Sequence, residues 1–184
     1  MTDEGPTSWI LTGSLENFRI NVERGFDLIG FKERRRRQAE EMEPGDEIFF
    51  YVTGVQAFGG IARVKSEMFE ERTRIWPGRN KRRPQKPPPN QKPEIYPWRV
   101  KAEPVLVLPE EAFVPAEELV TELEHVRKWP PDHWHLAFQG QLRTIGEADA
   151  ALLRDRLAST AATNTAAEHT ATKTAAEHTA SAGA

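Results

Sequence analysis

An α+β domain built around a small, strongly curved sheet is the fold this sequence predicts, and two neighbouring stretches carry the prediction. Pro44-Gly45-Asp46 is a turn, because Pro presets one backbone angle and Gly relaxes the next. The uninterrupted β-branched and aromatic run 48–52 that follows reads as a strand buried on both faces. Residues 57–65 form a second strand, and Gly59-Gly60 in its middle marks a bulge, a sharp bend or a close approach to the backbone. A buried strand, a turn and a glycine-bent strand are what a small curled sheet needs.

The other elements follow in chain order. Residues 8–12 form a short strand, and Ser14 caps a helix over 15–23 whose apolar face is Leu15, Phe18 and Val22. Arg24-Gly25 stops it. The hydrophobic stretch 26–31 is bounded by glycines, and its pattern commits it to neither helix nor strand. Residues 32–42 read as a helix, basic in its first half and acidic in its second, an order that opposes the helix dipole. Residues 66–73 are polar and partly extended, and Trp76 sits at the edge of a turn.

The Pro- and Lys/Arg-rich segment 79–93 is expected to be an exposed loop of polyproline character. Residues 96–108 resume as a strand restricted by Pro97 and Pro104 to an edge or bent position, with Val105 to Leu108 entering the core. Residues 115–126 read as an amphipathic helix with Leu119, Val120, Leu123 and Val126 inward. A rigid turn at Trp129-Pro130-Pro131 leads to a last strand over 133–139. A closing helix over 147–157 turns Ala148, Leu152, Leu153 and Leu157 inward. The chain thus divides into an extension (1–7), a domain (8–158) and an Ala/Thr-rich tract (159–184). The tract carries an imperfect nine-residue repeat and no large apolar side chain, so it reads as a disordered, solvated tail.

Composition narrows the function. The 184 residues are 38% hydrophobic and 29% charged, with no apolar run near the roughly 18 residues that span a membrane. The acidic start lacks the pattern of a signal peptide, and there is no cysteine for a disulfide or thiolate metal site. A cytoplasmic protein is the expectation. The net charge of −3 hides segregation: residues 72–92 hold eight basic side chains and no acidic one, and Arg34, Arg35, Arg36 and Arg37 form a second basic cluster. Such clusters bring a phosphate backbone to one face of a protein that is acidic overall.

The Trp9-Ile10-Leu11 start, the block from Met42 to Tyr51, the glycine strand Gly59-Gly60-Ile61-Ala62-Arg63-Val64 and the later Tyr96-Pro97-Trp98-Arg99-Val100 together resemble the EVE domain family. This is a branch of the PUA-like fold, related to the YTH readers of methylated RNA. The resemblance covers residues 8–158 and is most specific in the turn and the two strands after it. It implies a small mixed β-barrel flanked by helices, and a protein that reads a modified base in DNA or RNA, flipped into a pocket with aromatic walls. Trp9 matches the family's aromatic in the first strand, and Thr12 a small hydroxyl residue near the pocket. Gly30 and Phe31 fall where many members carry an asparagine-rich loop, which this chain lacks. Arg143 matches a basic residue before the final helix.

A base reader needs flat π faces and a few directed hydrogen bonds. Trp9, Trp76 and Trp98, at strand ends or beside turns, read as pocket walls or as core. Phe26 and Phe31, flanked by glycines, fit plain core less well. Tyr51 and Thr53 end the buried strand and present hydroxyls to a barrel mouth or to backbone. The expected base pocket is therefore drawn from Trp9, Thr12, Phe26, Gly30, Phe31, Tyr51, Thr53, Trp76 and Trp98. The nucleic-acid backbone is expected to meet Arg34–Arg37, Arg79, Lys81, Arg82, Arg83, Lys86 and Arg143. His133 and His135 share a strand face in this reading but lack a third ligand nearby. No cofactor motif is present. The alternatives are an ASCH-type enzyme acting on a modified nucleoside, for which Asp46, Glu47 and Lys65 are the available groups, and an adaptor using the Pro-rich loop.

Overall fold

The computed structural model describes residues 5–77 and 95–181, with side chains to Glu168. The basic loop residues Arg79, Lys81, Arg82, Arg83 and Lys86 lie outside the described residues. One curled mixed sheet dominates: β1 (Ser8–Ser14), β2 (Leu28–Phe31), β3 (Glu47–Thr53), β4 (Ala57–Val64), β6 (Trp98–Val107) and β8 (Leu142–Ile145), with short β5 (Phe69–Glu70) and β7 (Val114–Pro115) paired at its side. Its path is β2-β6-β4-β3-β1-β8. β1 and β3 run parallel, and the other pairs are antiparallel. With flanking helices α1 (Leu15–Glu23), α2 (Arg36–Glu40) and α3 (Glu147–Ser181), this is the curled, helix-flanked architecture expected of a PUA-like barrel.

The buried strand β3 divides two cores because successive side chains face opposite ways. Ile48, Phe50 and Val52 join the inner core with Trp9, Phe26, Phe31, Trp98 and Leu142. Phe49 and Tyr51 join a second layer with Phe58, Phe138, Leu153 and Leu157, where α3 covers the sheet's outer face. Gly59 is the extra residue of a bulge opposite Phe50/Tyr51. A Cβ on it would come within 2.8 Å of Phe18 and 2.9 Å of Phe113, so these rings require the glycine.

The Ser14 cap forms as expected, its Oγ accepting from Asn17 N–H at 3.2 Å. On α1, however, Val22 is 46% exposed, and the buried inward residues are Phe18 and Asn21. The helix ends in a left-handed pair, Gly25 (φ 65) and Phe26 (φ 55). Phe26 tolerates this because its ring is buried edge-on against Phe18 and Phe50. The stretch that committed to no element becomes β2, fully buried.

Several expected elements take another form. The helix over 32–42 splits into a 3-10 turn (Glu33–Arg35) and the short α2, where four cations meet the positive end of the dipole. Val105 and Val107 do not enter the core; they are 44% and 36% exposed, and Val105 is the bulged residue opposite Ile61/Ala62. Residues 115–126 form no α-helix but 3-10 and simple turns. At the end of this segment, the Asp149 carboxylate accepts the amides of Glu124 and His125 at 2.7 and 2.8 Å, the donors that the last turn of a helix would have used. Leu119, Leu123 and Val126 are still buried. Residues 133–139 are not a strand but most of a 3-10 segment, Pro131–Phe138, started by a proline at its first turn. In α3, Ala150 rather than Ala148 faces inward beside Leu153 and Leu157. The helical backbone continues past Leu157 through Ser181, with no described side chain buried beyond Leu157. No helix among the described residues is long and apolar enough to cross a membrane.

Candidate nucleic-acid interface

The two ends of the sheet path, β2 and β8, come together without pairing. Gln141, just before β8, accepts the Lys32 N–H at 2.8 Å and donates Nε2 to the Gly30 carbonyl at 3.4 Å. Gln38 of α2 donates to the Leu142 carbonyl at 2.9 Å. Thr12 holds the same region from β1: its N–H donates to the Gln141 carbonyl at 2.8 Å and its hydroxyl to the Phe138 carbonyl at 2.9 Å. Two glutamine side chains therefore close the barrel where a backbone ladder would otherwise run. Such bridges span a wider gap than the roughly 4.8 Å between paired strands.

Cations rim this seam. Arg35 reaches across to the loop before β8: its Nη2 lies 3.0 Å, and that of Arg143 3.8 Å, from the point a Cβ on Gly140 would occupy. Arg35 Nη1 donates to Gln38 at 2.8 Å, while its Nε is buried with no partner. Arg143 Nε donates to the Gln139 carbonyl at 2.8 Å. Burial first, then the charges of Arg34 and Arg143, hold the Arg35 guanidinium below its ordinary pKa. Beside them, Arg36 pairs with Glu40 at 2.8 Å and lies 4.9 Å over the Trp98 ring.

The aromatic candidates fall into three environments. Trp9, Phe26, Phe31 and Trp98 share the inner core. Within it Trp9 donates its indole N–H to Asp46 at 2.9 Å. Phe31 and Trp98 are register partners on β2 and β6. Trp98 stands nearest the rim, its indole donating to the Glu33 carbonyl at 2.9 Å under the Arg36 guanidinium. Tyr51 belongs to the outer layer instead, stacked on Phe138 with ring centres 4.4 Å apart, and burial pushes its phenol up to about 12. The Thr53 hydroxyl donates to the Gly13 carbonyl at 3.1 Å.

Trp76 lies on the other face of β2 from Phe31, with Leu28 and Tyr96. Gly30 has no side chain because Trp76 occupies that space: a Cβ there would sit 2.2 Å from Cζ3. Asn21 of α1 accepts the Trp76 indole N–H at 2.8 Å, and Arg99 lies over the ring at 5.4 Å. Trp76 and Tyr96 thereby anchor the two described ends of the basic loop, on the side of β2 opposite the inner core.

The groups an enzyme would draw on are engaged in holding the fold. Asp46 accepts from Thr7, Trp9 and Glu43. Glu47 pairs with Arg154 at 2.6 Å and Lys65 with Glu103 at 3.3 Å. His133 and His135 have ring centres 6.0 Å apart within the 3-10 segment. Sequence reasoning missed Gln38, Gln141 and Asn21, polar residues whose partners lie far along the chain. It also passed over Arg99, buried and paired with Glu71 at 2.8 Å. Their only advance signal is a polar residue inside an apolar pattern, as with Arg99 between Trp98 and Val100.

The curled mixed sheet and its helices define a PUA-like domain with a cation-rimmed seam. The EVE domain model matches residues 7–153, and the chain belongs to the EVE domain family. Among solved structures it is similar to the YTH domain of the Zygosaccharomyces rouxii MRB1 protein in complex with N6-methyladenosine RNA. That match has TM-score 0.55 and 14% identity, covering 85% of this chain and 90% of that one. It is also similar to the Mmi1 YTH domain in complex with RNA (TM-score 0.54, 10% identity, 87% and 82% covered). A Pseudomonas putida protein superposes at TM-score 0.51 with 14% identity, covering 81% of this chain and 98% of that one. At such identities the likeness is one of fold. No curated protein sequence matches the chain.

Proposed function

We propose that this protein is a non-enzymatic reader of a modified base in nucleic acid, and that the base is received at the seam between β2 and β8. The observation that carries this is the stack of Arg36 on Trp98 at that rim. A planar cation held over an indole by cation–π attraction covers the kind of surface on which a flipped base stacks. Among the described residues Arg36 is otherwise tied to exposed Glu40, so moving it off the ring costs little. Trp98 and Phe31 then form the aromatic wall, and Thr12 and Gln141 line the polar side. Arg34, Arg35, Arg37 and Arg143 attract the phosphate backbone, with the basic loop after Trp76 adding salt-sensitive affinity.

Family membership supports the reading: the YTH domains that share the fold were solved with RNA, one of them carrying N6-methyladenosine. The test is equilibrium binding to matched DNA and RNA oligonucleotides, each with a plain base or one of several methylated bases, at two salt concentrations. A reader binds one modified oligonucleotide more tightly than its plain counterpart, and all of them more weakly at high salt. Equal affinity for modified and plain strands counts against it, as does turnover of the modified nucleoside seen by chromatography.

A further inference from the structure

We infer that Arg35 and Arg143 form a socket for one phosphate group, the backbone phosphodiester beside the received base; this assignment rests on the reader function proposed above. The two guanidiniums come from opposite ends of the sheet path and converge on one point above Gly140, at 3.0 and 3.8 Å from it. No carboxylate pairs with either among the described residues, whereas the adjacent Arg36 is paired with Glu40. Arg35 donates Nη1 to Gln38 and Arg143 donates Nε to the Gln139 carbonyl, contacts that fix the two planes. The buried Arg35 Nε–H is left with no acceptor.

Like charges brought together in a partly desolvated place, with a donor unsatisfied, are costly unless an anion completes them. A phosphate supplies what is missing. It carries negative charge and several acceptor oxygens, enough for Arg35 Nη2 and Arg143 Nη2, and a small outward swing of the Arg35 guanidinium brings its buried Nε–H onto the same anion as a fork. The socket adjoins the base site through Gln141, the residue after Gly140, which binds the backbone of Gly30 and Lys32.

The test uses inorganic phosphate first, because it needs no knowledge of the base. Titrated into the whole protein at constant ionic strength, phosphate should shift the Arg35 Nε–Hε resonance and raise Tm relative to chloride. The rise should vanish in Arg35→Gln and Arg143→Gln and persist in Arg127→Gln, which lies outside the site. An unmoved Arg35 resonance, or equal protection of all the variants, overturns the socket. In the second arm, a bound modified oligonucleotide is given one uncharged methylphosphonate linkage at each position in turn. The linkage beside the base should weaken wild-type binding about tenfold and leave Arg143→Gln indifferent. If no linkage matters while inorganic phosphate still binds, the socket takes free phosphate and the assignment to nucleic acid fails. If no oligonucleotide binds at all, the reader function and the backbone assignment fall together, and the first arm alone decides whether the anion site exists.

Discussion

The guanidinium of Arg36 lies 4.9 Å from the centre of the Trp98 ring, and the Trp98 indole N–H is bonded to the Glu33 carbonyl. The ring is thereby fixed in plane, with its outer face covered by a group that solvent can accept. A fixed π face under a displaceable cover is suited to stacking a base. Trp76 also carries a guanidinium, Arg99 at 5.4 Å, but that cation is buried and paired with Glu71, whereas Arg36 is exposed.

Trp9 is placed differently. Its indole donates to Asp46, whose carboxylate also accepts the amides of Thr7 and Glu43, so it ties β1 to the turn before β3. Trp9→Phe keeps most of the volume but removes one donor from a buried carboxylate, a loss of about 1–3 kcal/mol. Urea unfolding should show that loss, while the folded variant keeps wild-type affinity for oligonucleotides. A binding defect in fully folded Trp9→Phe would move Trp9 into the pocket.

Gly30 makes a second case. An added Cβ meets Trp76 at 2.2 Å, and the ring has no room to yield without leaving Asn21. Gly30→Ala should destabilise the protein by about 1–3 kcal/mol, the range for overpacking. Asn21→Ala, which frees the indole without crowding it, should recover part of that loss in the double variant. Strict additivity of the two changes would show that Trp76 does not link them.

The outer layer gives a pH prediction. Burial pushes the Tyr51 phenol from about 10 up to about 12. The neutral form is favoured in the folded state, so its contribution is complete below about pH 10 and is lost as pH rises through 12. About 2–3 kcal/mol of stability should disappear across that window. Tyr51→Phe, which keeps the stack on Phe138, should remove this part of the alkaline loss when unfolding is followed from pH 9 to 12. An unchanged alkaline profile would mean that the phenol ionises without cost.

The framework was legible in the sequence because it is written locally. The Pro44-Gly45-Asp46 turn, the run at β3 and the glycines of β4 each predict their own geometry, and Ser14 announces its cap. Where a distant group decides, the pattern misleads. Residues 115–126 keep the apolar spacing of a helix but end with the amides of Glu124 and His125 bound to Asp149, about 25 residues away. β2 is a strand because Trp98 to Lys101 pair with it, not because of anything within 26–31. The site divides in the same way. Phe31, Trp98, Arg35 and Arg143 were named from residue type and family likeness; Arg35 and Arg143 converge at Gly140, and Phe31 and Trp98 are register partners on β2 and β6. Gln38 and Gln141 bridge β2 and β8 through partners about a hundred residues away.

The central claim is that the Trp98 face receives the base. Trp98→Leu keeps an apolar side chain in the inner core but removes the π surface, and stacking contributes about 1–3 kcal/mol per base. Its affinity for the preferred modified oligonucleotide, measured by fluorescence anisotropy with folding checked by circular dichroism, should fall about ten- to a hundredfold. The residual binding should no longer distinguish modified from plain strands. A folded Trp98→Leu protein that binds and discriminates as the wild type does would contradict the account.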